Sequence, residues 1–233
     1  MRAVAPALAK LTLSLRVTGV RDDGYHLLDA EMVTIDLADE LTFSDGDGLE
    51  VVGGPAPIGE RNLVVRALRA VGRRAHVRLV KRIPVGAGLG GGSADAAAVL
   101  RWAGVSDLAL AAGLGADVPF CLVGGRARVT GIGEVLSPLP FLDRTFTVLT
   151  PPFGVSTPAV YRQWDALGGT SSSTSLNDLE PAALAAEPRL AEWRDRLGDL
   201  TGQTPVLAGS GSTWFVEGAF DGPELVVVHT AEP

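Results

Sequence analysis

Cysteine is nearly absent from this 233-residue chain, where Cys121 stands alone. A single thiol excludes an internal disulfide, and no metal-ligand spacing surrounds it. The composition therefore suits a reducing compartment, and Cys121 reads as a small buried hydrophobe. Long apolar runs are missing too. No stretch reaches the roughly 18 residues that cross a bilayer. The opening MRAVAPALAKLTLSL has an early arginine and apolar residues, like an export signal, but Lys10 interrupts it and the pattern then alternates. Excess positive charge is absent as well: 20 Lys and Arg against 27 Asp and Glu give a formal net charge of −7. A pI near 5.0 removes the basic surface that phosphate-backbone binding needs. These absences point to a cytoplasmic protein that engages neither nucleic acid nor membrane.

What is present is a globular composition, 46% hydrophobic and 20% charged, with 29 glycines and 15 prolines that imply many turns. Its length suits one large or two modest domains, and no internal repeat is visible. From Leu11 the alternation of Leu11, Leu13, Leu15 and Val17 against Thr12, Ser14 and Arg16 predicts a half-buried strand. A turn at 19–26 follows, then short strands at 31–36 and 40–44 and a helix over 61–72. Residues 76–83 alternate as a strand. Helices are expected at 93–102 and 107–112, a hairpin pairing 121–123 with 126–130 across Gly124 and Gly125, and a strand at 145–150. The proline-rich cluster at 151–154 divides the chain into 1–150 and 151–233. Beyond it, helices at 158–167 and 187–197 flank the low-complexity GGTSSSTS of 168–175, which reads as a mobile loop. Strands at 206–207, 214–217 and 225–229 close the chain.

The densest signal is PVGAGLGGGSA at 84–94, opening into an alanine-rich helix. Glycines between a strand and a helix let backbone N–H groups approach an anion, and the helix N-terminus adds roughly half a positive charge. The bland alternative is a flexible connection, although so many glycines cost backbone entropy that a plain connection would not need. Residues 86–91 also fit G-x-G-x-x-G. The strand before them alternates and is separated from the loop by Pro84, whereas the dinucleotide fingerprint needs a buried parallel strand running straight in. No G-K-[ST] ending follows, which excludes a P-loop, and no D-F-G triplet marks a protein kinase.

The run P-x-G-A-G-L-G-G-G-S resembles the ATP loop of the GHMP kinases, the superfamily of galactokinase, homoserine kinase and mevalonate kinase. Within it, four further segments are similar, in order, to the branch that acts on a cytidine diphosphate-linked methylerythritol. They are LAKLTLSLRVTGVRDDGYHLL at 8–28, RNLVVRAL at 61–68, LGADVPFCLVGGRARVTGIGE at 114–134, and NDLEPAAL at 177–184 joined with AGSGST at 208–213. The resemblance implies an α+β fold of two subdomains, an N-terminal one like domain 2 of ribosomal protein S5 and a C-terminal ferredoxin-like one. The active site would lie between them.

It also implies a division of labour. Lys10 matches the lysine of the family's A-K-x-N-L motif and Asp117 its catalytic aspartate; on residue type alone, the first could be a snorkelling strand lysine and the second a helix N-cap. Pro84, Val85, Gly86, Ala87, Gly88, Leu89, Gly90, Gly91, Gly92, Ser93 and Ala94 would hold ATP, with Arg61, Asn62 and Leu63 lining the adenine pocket. Tyr25 and His26 would grip cytosine and Tyr161 would sandwich it, although at helical spacing Tyr161 fits a core as well. Gly209, Ser210, Gly211, Ser212 and Thr213 form a second glycine-rich loop that would close around the substrate phosphates or organise the site floor. Mg2+ should accompany ATP, but no carboxylate or histidine cluster nominates a protein ligand.

Three departures stand out. Thr12 replaces the family's asparagine, the segment 101–114 is short for a helical pair, and 218–224 replaces a helix. The partner is thus expected to be the cytidine-linked alcohol, with the protein a monomer or weak homodimer. A mevalonate- or homoserine-type kinase and a catalytically silent nucleotide-binding paralogue remain open at this point.

Overall fold

A computed structural model of the chain describes residues 2–169 and 175–232. Most of the 168–175 stretch expected to be a mobile loop thus lies outside the described residues. The first half runs β1 (Ala3–Val20), β2 (His26–Ser44), β3 (Gly48–Val52), α1 (Leu63–Ala70), β4 (His76–Val80), α2 (Gly91–Trp102), α3 (Leu108–Leu114), α4 (Val118–Val123), β5 (Arg126–Gly131) and β6 (Val135–Leu139). The second runs β7 (Thr145–Leu149), α5 (Thr157–Ala166), α6 (Glu180–Ala186), α7 (Leu190–Thr201), β8 (Val206–Leu207), β9 (Trp214–Glu217) and β10 (Leu225–His229).

Two sheets organise these elements. The six-stranded one has the order β3-β4-β2-β5-β6 with β1 also on β2; the four-stranded one has the order β10-β7-β9-β8. Strand β2 is the axis of the first. It pairs with β1 along nearly its whole length, while its opposite edge is shared between β4 at one end and β5 at the other. The pattern predicts separate strands at 31–36 and 40–44, and Asp39, buried in the fold, lies in the gap between them. Pairing of Leu8 with Ala38 and of Lys10 with Thr34 carries the chain through that point, at the cost of a register shift between Leu8 and Lys10.

The expected hairpin at 121–123 is not formed. Those residues lie in α4, a helix with Pro119 at its start, where a missing N–H costs nothing. A short apolar run ahead of two glycines fits a strand or one helical turn equally, and burial of Phe120 and Cys121 decides for the helix. The hairpin partner of β5 is β6, which, like β3 and α6, was not anticipated. Strand β7 pairs with β9 and β10, so the change of sheet falls between Leu139 and Thr145, ahead of residue 150.

The core has two parts. One lies where α1 and α2 cover the first sheet, with Val64, Ala67 and Leu68 of α1 facing the run Ala94 to Leu100 of α2. This spacing is the apolar stripe of an amphipathic helix, and each fully buried leucine or valine contributes about 1.5–3 kcal/mol. The other packs α5, α6 and α7 around Trp214 and against Leu15 and Val17 of β1. Because β1 serves both cores, its stretch Ala9 to Leu13 is buried on both faces. It runs between the two halves of the molecule.

Candidate active site

A cavity of about 850 Å³ lies along this seam. Its roof is the glycine loop, and two close approaches explain the glycines. Gly88 has φ of +78°, and a Cβ there would stand 2.3 Å from the Ala208 carbonyl oxygen and 2.8 Å from that of Gly211. The two glycine-rich loops therefore lie backbone against backbone, joined by the Thr213 N–H donating to the Ala87 carbonyl at 3.1 Å. Gly90, in the left-handed region as the N-cap of α2, would place a Cβ 2.8 Å from Cγ of Lys10. The loop is held by contacts on two sides, which a flexible connection would lack. Past Gly90, the first turn of α2 has no side-chain cap, so its N–H groups and its partial positive charge face the cavity beneath the loop.

Lys10 sits at the register shift of β1, where its N–H donates to the Leu89 carbonyl at 3.0 Å instead of to β2. Irregularities of this kind re-aim a side chain. Nζ donates to Thr12 Oγ1 at 3.0 Å and lies 3.4 Å from Oδ2 of Asp117. Asp117 occupies the N-cap position of α4 yet makes no capping hydrogen bond. Its carboxylate, one-third exposed, is turned toward Lys10. Thr12, almost wholly buried, spends its oxygen on the lysine. Behind the pair, burial pushes the Cys121 thiol up to about 12, which fits its reading as a hydrophobe.

At the far end, His26 stacks on Tyr161 with centroids 4.6 Å apart and 29° between planes, and meets the edge of Trp164 at 5.4 Å. Burial, reinforced by the Asp117 carboxylate, pushes the Tyr161 hydroxyl upward. Tyr25 is 58% exposed and makes no ring contact with Tyr161 among the described residues. Tyr25 and Tyr161, expected on either side of a base, both line the cavity, and His26 lies against Tyr161. Asn62 lines the wall, but its amide is committed: Oδ1 accepts from Val64 N–H at 2.9 Å, capping α1, and Nδ2 donates to the Pro57 carbonyl at 2.9 Å. Arg61, Leu63, Gly209 and Ser210 reach the cavity, as do Pro84 to Ser93. Ala94 and Gly211 do not: Ala94 is fully buried in α2, and Gly211 packs under Leu207 and Leu190.

Several contributors were not legible beforehand. Only two of the 20 cationic residues are lysines, Lys10 and Lys81. Both are buried, and both line this cavity. Beneath the helix N-terminus, Lys81 Nζ pairs with Asp39, and with Asp95 Oδ2 at 2.9 Å. Asp39 also accepts the N–H groups of Arg82 at 2.5 Å and Ile83 at 2.8 Å, fixing the entry to Pro84. Burial pushes the Asp95 carboxyl up to about 7, with Lys81 pulling the other way. Asn177 ties down the second loop, its Nδ2 donating to the Leu207 carbonyl at 2.8 Å and that of Gly209 at 2.6 Å. Asp178 beside it accepts from Arg16 at 2.7 Å and from the Val17 N–H at 3.0 Å, fastening the same segment to β1.

Known proteins resemble this chain in sequence and in fold. Residues 62–125 match the model of the GHMP kinases N terminal domain. The 4-diphosphocytidyl-2-C-methyl-D-erythritol kinase of Paracoccus denitrificans is 42% identical over 236 residues, covering 92% of this chain and 85% of its own. The chain belongs to this kinase family. The same enzyme from Moorella thermoacetica is 46% identical over 199 residues, covering 78% of this chain and 69% of its own. A crystal structure of 4-(cytidine 5'-diphospho)-2C-methyl-D-erythritol kinase superposes with a TM-score of 0.76 at 36% identity, covering 99% of this chain and all of that one. A mevalonate kinase structure, at 12% identity and a TM-score of 0.58, shares the fold alone. For a member of this family, the two-sheet α+β architecture is the GHMP kinase fold.

Proposed function

We propose that the protein is an ATP-dependent kinase that phosphorylates the 2-hydroxyl of 4-diphosphocytidyl-2-C-methyl-D-erythritol, a step toward isoprenoid precursors by the non-mevalonate route. The observation that carries this reading is the Lys10 and Asp117 pair, 3.4 Å apart, inside one cavity that has the glycine loop at one end and His26 with Tyr161 at the other. Phosphoryl transfer demands positioning and charge stabilisation more than covalent chemistry by the protein.

In this reading the backbone N–H groups of the loop and the start of α2 hold the ATP phosphates. The Lys10 ammonium stands where charge develops on the transferred group. Asp117 orients the acceptor hydroxyl and gives its proton somewhere to go, a role worth about 10²–10⁴-fold in rate. The adjacent Lys10, with Nζ 3.4 Å from Oδ2, helps hold the carboxylate in place. Tyr25 and His26 grip the cytosine, and Tyr161 flanks the same pocket.

Among the described residues, no three His, Cys, Asp or Glu side chains converge as a metal cage. Mg2+ would accompany the nucleotide phosphates, as this ion commonly does. A monomer or weak homodimer working in the cytoplasm, without nucleic acid, completes the reading; among the described residues no helix is long and apolar enough to cross a membrane. The two lobes are read as 1–150 and 151–233, with the change of sheet between Leu139 and Thr145 lying shortly before that division. ADP release on mixing the protein with Mg-ATP and the cytidine-linked alcohol tests the proposal, and release only with mevalonate or homoserine would replace it with another kinase of the superfamily.

A further inference from the structure

Helix α5 holds the His26 ring on three sides. Tyr161 covers one face, the edge of Trp164 meets it at 87°, and Oδ1 of Asp165 lies 2.7 Å from Nε2. Tyr161 and Asp165 are four residues apart, one helical turn, so a single rigid element sets both the plane of the imidazole and its rotation. The His26 side chain is 9% exposed and Asp165 is 51% exposed, so the contact lies at the mouth of the cavity with the ring on its inner side. No partner approaches Nδ1 among the described residues.

We propose that Asp165 is the positioning residue that sets base specificity: it fixes His26 as the Nε2–H tautomer and leaves Nδ1 as an acceptor for the 4-amino group of cytosine. The reasoning is one of donor count. A carboxylate only accepts, so the nitrogen facing Asp165 carries the hydrogen, and in the neutral ring the other nitrogen keeps a lone pair. Cytosine presents a donor at its 4-position and uracil presents an oxygen acceptor there. Lone pair against lone pair leaves both groups unpaired in a partly dry site, which is how hydrogen-bonding sites reject close analogues. Asp165 acts through His26 and need not touch the base. The inference rests on the proposed cytidine-linked substrate.

The test has two readouts. Long-range nitrogen–proton NMR of the ligand-free protein, which has three histidines to assign, reports the tautomer of His26 directly. Wild type is expected to show Nε2–H with bare Nδ1, Asp165→Ala a mixture, and Asp165→Glu, which keeps an acceptor, a return toward the wild-type pattern. Steady-state kinetics then compare the cytidine diphosphate substrate with its uridine diphosphate analogue. Asp165→Ala is expected to narrow the ratio of their kcat/KM values about tenfold, through a higher KM for the cytidine compound at nearly unchanged kcat. A wild-type His26 carrying its hydrogen on Nδ1 or on both nitrogens, or an unchanged ratio in Asp165→Ala, overturns the proposal. Failure of the wild type to turn over either compound would count against the kinase reading itself, while the nitrogen shifts still decide whether Asp165 sets the tautomer.

Discussion

Replacing Lys81 by methionine probes the charge cluster beneath the glycine loop with little change of shape. In the wild type this ammonium is the cation shared by two carboxylates, Asp39 at 0% and Asp95 at 4% exposure. Removing it leaves two buried anions facing each other, and breaking a buried pair in this way costs about 3–5 kcal/mol. The loss should depend on pH in a defined direction. Burial already lifts Asp95 from 3.8 to about 7. An acid raised by folding binds more protons folded than unfolded, so stability falls as pH climbs between the two values and levels off above them. Across that window of about three pH units, at about 1.4 kcal/mol each, the ceiling from this one group is about 4 kcal/mol. Without Lys81 the downward pull is gone, and the window extends higher. Urea denaturation near pH 5.5 and near pH 8 should show Lys81→Met losing about 3–5 kcal/mol at the higher pH and at most half of that at the lower. Adding Asp95→Asn should restore part of the difference. An equal loss at both pH values, or a loss under about 1 kcal/mol, would refute the reasoning.

Three further outcomes follow from the same geometry. Asp117→Asn should lower turnover by about two orders of magnitude or more while calorimetry shows ATP binding nearly intact; near-normal turnover would remove Asp117 from the mechanism. Gly88→Ala forces a Cβ to 2.3 Å from the Ala208 oxygen and should raise the KM for ATP with a stability loss of several kcal/mol, whereas Gly104→Ala, with φ of +73° and open space, should cost only about 1–2 kcal/mol. Asn177→Ala frees two buried carbonyls and should destabilise by about 2–3 kcal/mol in thermal or urea melts, with Gly209 and Ser210 less well placed for substrate.

Local pattern made part of this molecule readable. The alternation from Leu11, the spacing of Val64, Ala67 and Leu68, and the glycine run into an alanine-rich helix each carry their period in consecutive residues, and each formed the expected element. Where two elements compete for one short apolar run, as at Val118 to Val123, only tertiary burial decides. Strand β2 runs through the gap between the strands expected at 31–36 and 40–44, and the reason for a buried aspartate there, Asp39, appears only when Lys81, 42 residues away, folds against it. Asp165 was unreadable for the same reason, since its partner His26 lies 139 residues earlier. One signal for Lys81 did exist: a chain that uses arginine for nearly all its cations keeps lysine at two positions, both buried beside the glycine loop. A compact, rotatable ammonium fits between two carboxylates where a planar guanidinium does not.

The central claim is the transfer itself, and phosphorus NMR of the reaction mixture reads it most directly. With Mg-ATP and 4-diphosphocytidyl-2-C-methyl-D-erythritol, the expected result is a new phosphomonoester resonance on the 2-oxygen of the alcohol, growing in step with ADP and lost in Asp117→Asn. ADP formed together with inorganic phosphate and no new ester, or an ester that appears only with mevalonate or homoserine, would contradict the account.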